Sequence, residues 1–180
     1  MLQPLDHYRY LTEARRRLLA RVHALTPEQY EQEFPFGLRT VRRTLHHMAG
    51  AEWFVLGQLR GWPEGDNPFS TRRMRDAATL ETAWRNQEPR TIELIQAEER
   101  WDRPVEITVI IPSRQAFQVR TTAIKVFTQF CYHEVHHRAQ VMAMLRHLGA
   151  PTETLDFLLL TAQAVTEVSV EEALKGRGGG

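Results

Sequence analysis

The sequence predicts an all-α bundle of four long helices with one short β-hairpin ahead of the last of them. Four stretches repeat apolar residues at helical intervals, and segments rich in Gly and Pro separate them. A single run, Val105-Glu106-Ile107-Thr108-Val109-Ile110-Ile111, is β-branched instead. At 180 residues the chain is long enough to bury a sizeable core without staples, so one domain over residues 1–168 suffices. Residues 169–180, which end Gly178-Gly179-Gly180, have nothing to bury and are expected to be disordered.

The first helix runs from about Leu5 to Leu25 on Leu11, Leu18, Leu19 and Val22, and Thr26-Pro27-Glu28 breaks it with a fresh N-terminus. After Phe34-Pro35-Phe36-Gly37, Thr40 caps a second helix that carries Val41, Leu45, Met48, Val55 and Leu59 as far as about Arg60. Gly61-Trp62-Pro63-Glu64-Gly65 ends it. A third helix spans Ala77 to about Trp101, with Pro89 predicting a kink or a junction of two helices. Val105–Ile111 and Phe117-Gln118-Val119 form the hairpin, which must lie against the helices because two strands are not stable alone. The fourth helix extends from Thr122 to His147 and is closed by Gly149 and Pro151. A last segment, from Thr152 to about Val168, is capped by Thr152 or Thr154 and packs Leu155, Phe157, Leu158 and Leu159.

Composition narrows the partners. A net charge of +1, with 42% hydrophobic and 25% charged residues, gives no overall electrostatic attraction to nucleic acid or anionic membrane. The Arg runs at Arg15-Arg16-Arg17, Arg39 to Arg43 and Arg72 to Arg75 read as solvated helix faces. No uninterrupted apolar run reaches the length of a membrane span, the N-terminus lacks a signal-peptide core, and the lone Cys131 fits a reducing compartment. The expected location is the cytoplasm. The four tryptophans, Trp53, Trp62, Trp84 and Trp101, read as core or interface anchors.

The chemistry concentrates in Tyr132-His133-Glu134-Val135-His136-His137-Arg138-Ala139-Gln140. Residues four apart on a helix lie one above the other, so His133 and His137 can aim two imidazole nitrogens at one point. His136 is the competing partner of His133. The stripe through His133 and His137 also carries Val126, Phe130, Val141 and Met144, whereas His136 shares its stripe with Gln129, Tyr132, Gln140 and His147. The pattern therefore sends the first pair inward and leaves His136 at the rim. Eight histidines among 180 residues give about 0.35 such pairs by chance, so a third ligand from elsewhere is required. Leu45-His46-His47-Met48-Ala49-Gly50-Ala51-Glu52 supplies it. His47 shares a stripe with Thr40, Gly50, Ala51 and Phe54, whose small members leave room, while His46 sits with Arg39, Arg42 and Trp53 toward the edge. Cys131 lies about 200° around the helix from His133, on the 100° per residue of an α-helix, and reads as a small buried hydrophobe.

These two segments, in this order, make the chain resemble the DinB-like (DinB/YfiT-like) family of metalloproteins. Leu45-His46-His47-Met48-Ala49-Gly50-Ala51-Glu52 is similar to the family's Leu-x-His-apolar-x-x-x-Glu, and His133–Gln140 to its His-x-x-x-His-Arg-Gly-Gln, with Ala139 where Gly is usual. Leu148-Gly149-Ala150-Pro151 and Asp156-Phe157 resemble its close, so the likeness covers roughly residues 5–160. It implies a four-helix bundle with a crossover connection, a divalent metal on His47, His133 and His137, and a homodimer. Three imidazoles leave coordination positions open, the pattern of a catalytic site, and suit Zn, Ni, Fe or Mn alike. Glu52, Gln140 and Tyr132 are candidates for supporting or substrate contacts.

The resemblance further implies a metal-dependent enzyme of small molecules, associated with stress or detoxification. Some relatives look like S-transferases or isomerases that use a low-molecular-weight thiol such as bacillithiol, mycothiol or glutathione, and others resemble metal-dependent hydrolases. The non-catalytic alternative is a stress-associated metal-binding dimer. Nucleic-acid binding would need the Arg runs to merge into one face, and neither nucleic acid nor membrane is expected as a partner.

Overall fold

A computed structural model describes residues 3–61, 67–111, 113, 115–162 and 169–170. In chain order the helices are α1 (Pro4–Val22), α2 (Pro27–Glu31), α3 (Val41–Ala51), α4 (Ala77–Ala97), α5 (Ala123–His147) and α6 (Phe157–Thr161), with strands β1 (Pro104–Ile110) and β2 (Ala116–Thr122) before α5. The four long helices make the bundle. Among the four long helices, α1 packs on α5 and α4, and α3 packs on α5 and, more lightly, on α4. So α1 and α3, neighbours in sequence, sit on a diagonal, and the chain crosses the bundle to reach its next partner. The core is Leu11, Leu18, Leu45, Met48, Leu56, Leu80, Trp84, Phe130, Met144 and Leu145, each no more than 2% exposed.

Local signals act where the sequence places them. Thr26 accepts from the Gln29 amide in a reciprocal capping box, and Thr40 accepts from the Arg43 amide at 3.0 Å. At the end of α5, Gly149 takes φ +71°, Gly149 N–H bonds Arg146 O and Ala150 N–H bonds Leu145 O, the two closing bonds of a Schellman motif. The second predicted helix is helical to Arg60, but not uniformly α: Glu52–Leu56 is a π turn and Gln58–Arg60 a 3-10 turn.

Three expectations change. Pro89 neither splits nor ends α4, which passes through it. Pro89 and Arg85 are both exposed, so the Arg85 carbonyl that loses its bond to a proline faces water. The last segment is helical only over Phe157–Thr161 among the described residues; its N-cap is Asp156, without a side-chain cap bond, rather than Thr152 or Thr154. Leu155 packs in the core, whereas Leu158 and Leu159 are 71% and 68% exposed. Finally, Arg15 is only 5% exposed and leaves the solvated face assigned to its run.

The hairpin pairs Pro104 with Thr122 through Ile110 with Ala116. It is docked by Gln58, whose Oε1 accepts from Thr108 N–H at 2.7 Å and whose Nε2 donates to Thr108 O at 3.2 Å. Ile107 is its buried contact, and Trp101 stacks edge-on with Phe127. Trp84 is buried, and Trp53 and Trp101 are half-buried; Trp62, residues 163–168 and most of the predicted tail lie outside the described residues. Among the described residues no helix is long and apolar enough to cross a membrane.

Candidate metal centre

The pattern of α5 decides which of its polar residues meet the core. Val126, Phe130, Glu134, His137, Val141 and Met144 are buried, Gln129, Tyr132 and His136 are exposed, and His133 lies half-buried between them. The seam thus runs through Glu134 and His137, with His133 at its edge rather than on its centre line. Across from it, α3 presents His47 at the surface.

These three side chains converge. One nitrogen from each of His47, His133 and His137 lies within 4.8 Å of the others, and the ring centroids are 4.4–4.7 Å apart. His47 Nε2 faces His133 Nε2 at 2.8 Å. Two nitrogens on one ion at bonds of about 2.0–2.1 Å would be about 3.0–3.4 Å apart, so the His47 and His133 rings would open by a few tenths of an ångström, while nitrogens of the group that lie up to 4.8 Å apart would draw together.

The protonation chemistry points the same way. Loss of water around its ring where the imidazoles crowd together, then the neighbouring His137, pushes the His47 imidazole down to about 4. Burial, followed by His137, His47 and His136, pushes His133 down to about 3. Burial also lowers His137, opposed by its hydrogen bond to Gln140. At neutral pH all three are uncharged donors, the form a divalent ion binds. The group holds no carboxylate to offset a proton.

Gln140 lies between His137 and His136. His137 Nδ1–H donates to Gln140 Oε1 at 2.9 Å, and Gln140 Nε2 donates to His136 Nε2 at 2.9 Å. His136 itself is exposed at the rim, as its stripe implies. Tyr132 is 68% exposed.

The residues that the sequence set apart from the ligands lie in the packing around them. His46 is 4% exposed, and its Nδ1–H donates to Phe69 O at 2.8 Å, so of the two adjacent histidines it is the inner one and His47 the outer. The room expected beside Gly50 is taken by Asn67, whose Nδ2 would lie 2.9 Å from an added Cβ. Cys131 is buried, which pushes its thiol up to about 12.

Glu52 belongs to the bundle interior instead of to the histidines. Fully buried, it accepts from the Tyr8 hydroxyl, the Thr91 hydroxyl and Trp84 Nε1, each at 2.7 Å, and pairs with Arg15 Nη2 at 2.8 Å. The same guanidinium forks onto Glu134, with Nη2 at 2.6 Å and Nε at 3.2 Å, and lies 3.9 Å above the Trp84 ring. At 100° per residue Glu52 stands about 140° around the helix from His47, so the one segment aims His47 outward and Glu52 inward five residues later. Sequence reading missed Arg15 and Glu134. The one signal for them was an acidic residue inside an otherwise apolar seam.

Comparison with known proteins places this geometry. The DinB family model matches residues 1–172. A search of curated proteins gave no match. Among solved structures the chain is similar to YfiT from Bacillus subtilis, described as a probable metal-dependent hydrolase with an unusual four-helix bundle topology. The TM-score is 0.59 at 16% identity, covering 79% of this chain and 86% of that one. With the motif order, the crossed bundle and the match over nearly its whole length in agreement, the chain belongs to the DinB family.

Proposed function

We propose that the protein is a divalent-metal-dependent enzyme acting on a small molecule, with His47, His133 and His137 as the ligands. The supporting observation is the convergence of three uncharged imidazoles from two helices, with no counter-charge among them and with His47 open to solvent. A structural ion would call for a closed fourth position, whereas three histidines on an exposed rim leave room for a substrate atom. Zn, Ni, Fe and Mn all suit this donor set. When bound, such an ion lowers the pKa of a thiol or water beside it.

The reaction we favour is transfer of a low-molecular-weight thiol to a small electrophile, in a stress or detoxification setting. A free thiol of pKa about 8.5 is mostly protonated at neutral pH, and metal binding removes that proton without a separate base. Among the described residues no carboxylate joins the three-histidine group, and Glu52 and Glu134 are committed to Arg15 and its neighbours. Its own thiol, Cys131, is buried, so the reacting thiol comes from solution. Hydrolysis is the second reading, favoured by the likeness to YfiT. We also propose a homodimer, in keeping with the exposed Ile110, Phe117, Leu158 and Leu159. Sedimentation at micromolar concentration would then give about twice 20.9 kDa.

The test incubates metal-loaded protein and His137→Ala with bacillithiol or glutathione and a chromogenic electrophile, and in parallel with ester and amide substrates. Conjugate formation above the variant supports thiol transfer. Ester or amide turnover alone moves the assignment to a hydrolase, and activity in neither leaves a metal-binding dimer without catalysis.

A further inference from the structure

Resting on the metal-site reading above, we propose that Gln140 is the positioning residue that fixes the tautomer of His137, with Gly37 holding the carboxamide in place from the loop before α3. An imidazole can present either nitrogen, and the one that faces the cluster is set by what the other one binds. His137 Nδ1–H donates to Gln140 Oε1 at 2.9 Å, which directs Nε2 toward His47 and His133. The amide cannot turn over freely, because its nitrogen donates to His136 Nε2 at 2.9 Å. One carboxamide thus orients a buried ligand and is itself oriented by a histidine at the rim.

A second observation, from a different part of the chain, closes the amide's remaining side. Gly37 sits at φ +57°, and a Cβ there would lie 2.8 Å from Gln140 Oε1 and 2.9 Å from its Cδ. The loop is held by Phe34 N–H to Arg39 O at 2.7 Å and Arg39 N–H to Phe36 O at 3.1 Å. Phe34 and Phe36 also pack on the His147 ring at the end of α5. Glycine is needed at 37 both for its backbone angle and for this approach. The loop Phe34-Pro35-Phe36-Gly37 therefore acts on the site through Gln140.

Nitrogen NMR of histidine-labelled protein reads the tautomer directly, before any metal is added. In the parent, the resonances lost in His137→Ala should belong to an Nδ1–H imidazole. In Gln140→Leu the same ring should become a mixture, while Gln140→Glu, which keeps an acceptor, should retain Nδ1–H. Zn titration should then show affinity about 10–100-fold weaker in Gln140→Leu, restored in Gln140→Glu. Gly37→Ala, in which the added methyl displaces the carboxamide, should fall between them. A parent that binds no Zn sinks the metal reading but leaves the tautomer result standing. A Gln140→Leu variant whose His137 remains wholly Nδ1–H and which binds Zn as the parent does would overturn this inference alone.

Discussion

Two polar regions share the same helices and differ in charge balance. Glu52 and Glu134 stand on the same segments as His47 and His133, yet the carboxylates turn into the bundle and meet Arg15, while the imidazoles gather at its rim. In the interior Arg15 satisfies two carboxylates, and Tyr8, Thr91 and Trp84 fill the rest of Glu52. At the rim three nitrogen donors face one another with no anion and no shared proton beyond a single hydrogen bond. The first arrangement is complete as it stands and holds helices α1, α3 and α5 together. The second is a donor set that could hold a cation.

The largest expected effect comes from unbalancing the complete region. Arg15→Ala should destabilise the protein by about 3–5 kcal/mol in urea unfolding, because it strands two buried carboxylates. Adding Glu52→Gln and Glu134→Gln to it should recover part of that loss. Equal stability in parent and Arg15→Ala would mean that the interior network is not what joins these helices. Next in size, His46→Ala should lower stability by about 1–3 kcal/mol, since it leaves Phe69 O without its buried donor, and should keep metal binding. His46 and the ligand histidines thereby separate fold from site.

The incomplete region should respond to pH in a defined sense. His47 and His133 protonate near 4 and near 3 in the folded chain, against 6.5 when unfolded. Between those values the unfolded state binds more protons, so the metal-free protein loses stability as pH falls below about 6.5. His133→Ala should show a flatter stability profile between about pH 7.5 and 5.5 than the parent; parallel profiles would contradict the depressed protonation. The smallest effect belongs to Cys131. Its thiol, pushed up to about 12 by burial, should resist alkylation in the native protein, and Cys131→Ala should leave any thiol-transfer activity unchanged.

The same comparison explains what was legible in the sequence. Helix limits were legible because they are local: Thr40, Thr26 and Gly149 act on amides and carbonyls within a few residues of themselves. The three-histidine cluster was legible from spacing on two stripes together with motif order. Arg15 was not, since its burial depends on Glu134, 119 residues away, and no local pattern marks an arginine that will meet two carboxylates. The relative burial of His46 and His47 was inverted for a similar reason: Phe69, from the segment after α3, covers His46, and helical periodicity contains no information about it. Glu52 looked like a neighbour of His47 because it stands only five residues on, but at 100° per residue that is about 140° around the helix, toward the bundle interior.

Calorimetric titration of divalent metal into protein purified without a metal-affinity column tests the central claim most directly. One ion per chain is expected in the parent, with loss of that binding in each of His47→Ala, His133→Ala and His137→Ala, and near-parent binding in His46→Ala and His136→Ala. Binding that survives removal of any one of the three, or that disappears equally in His136→Ala, would contradict it.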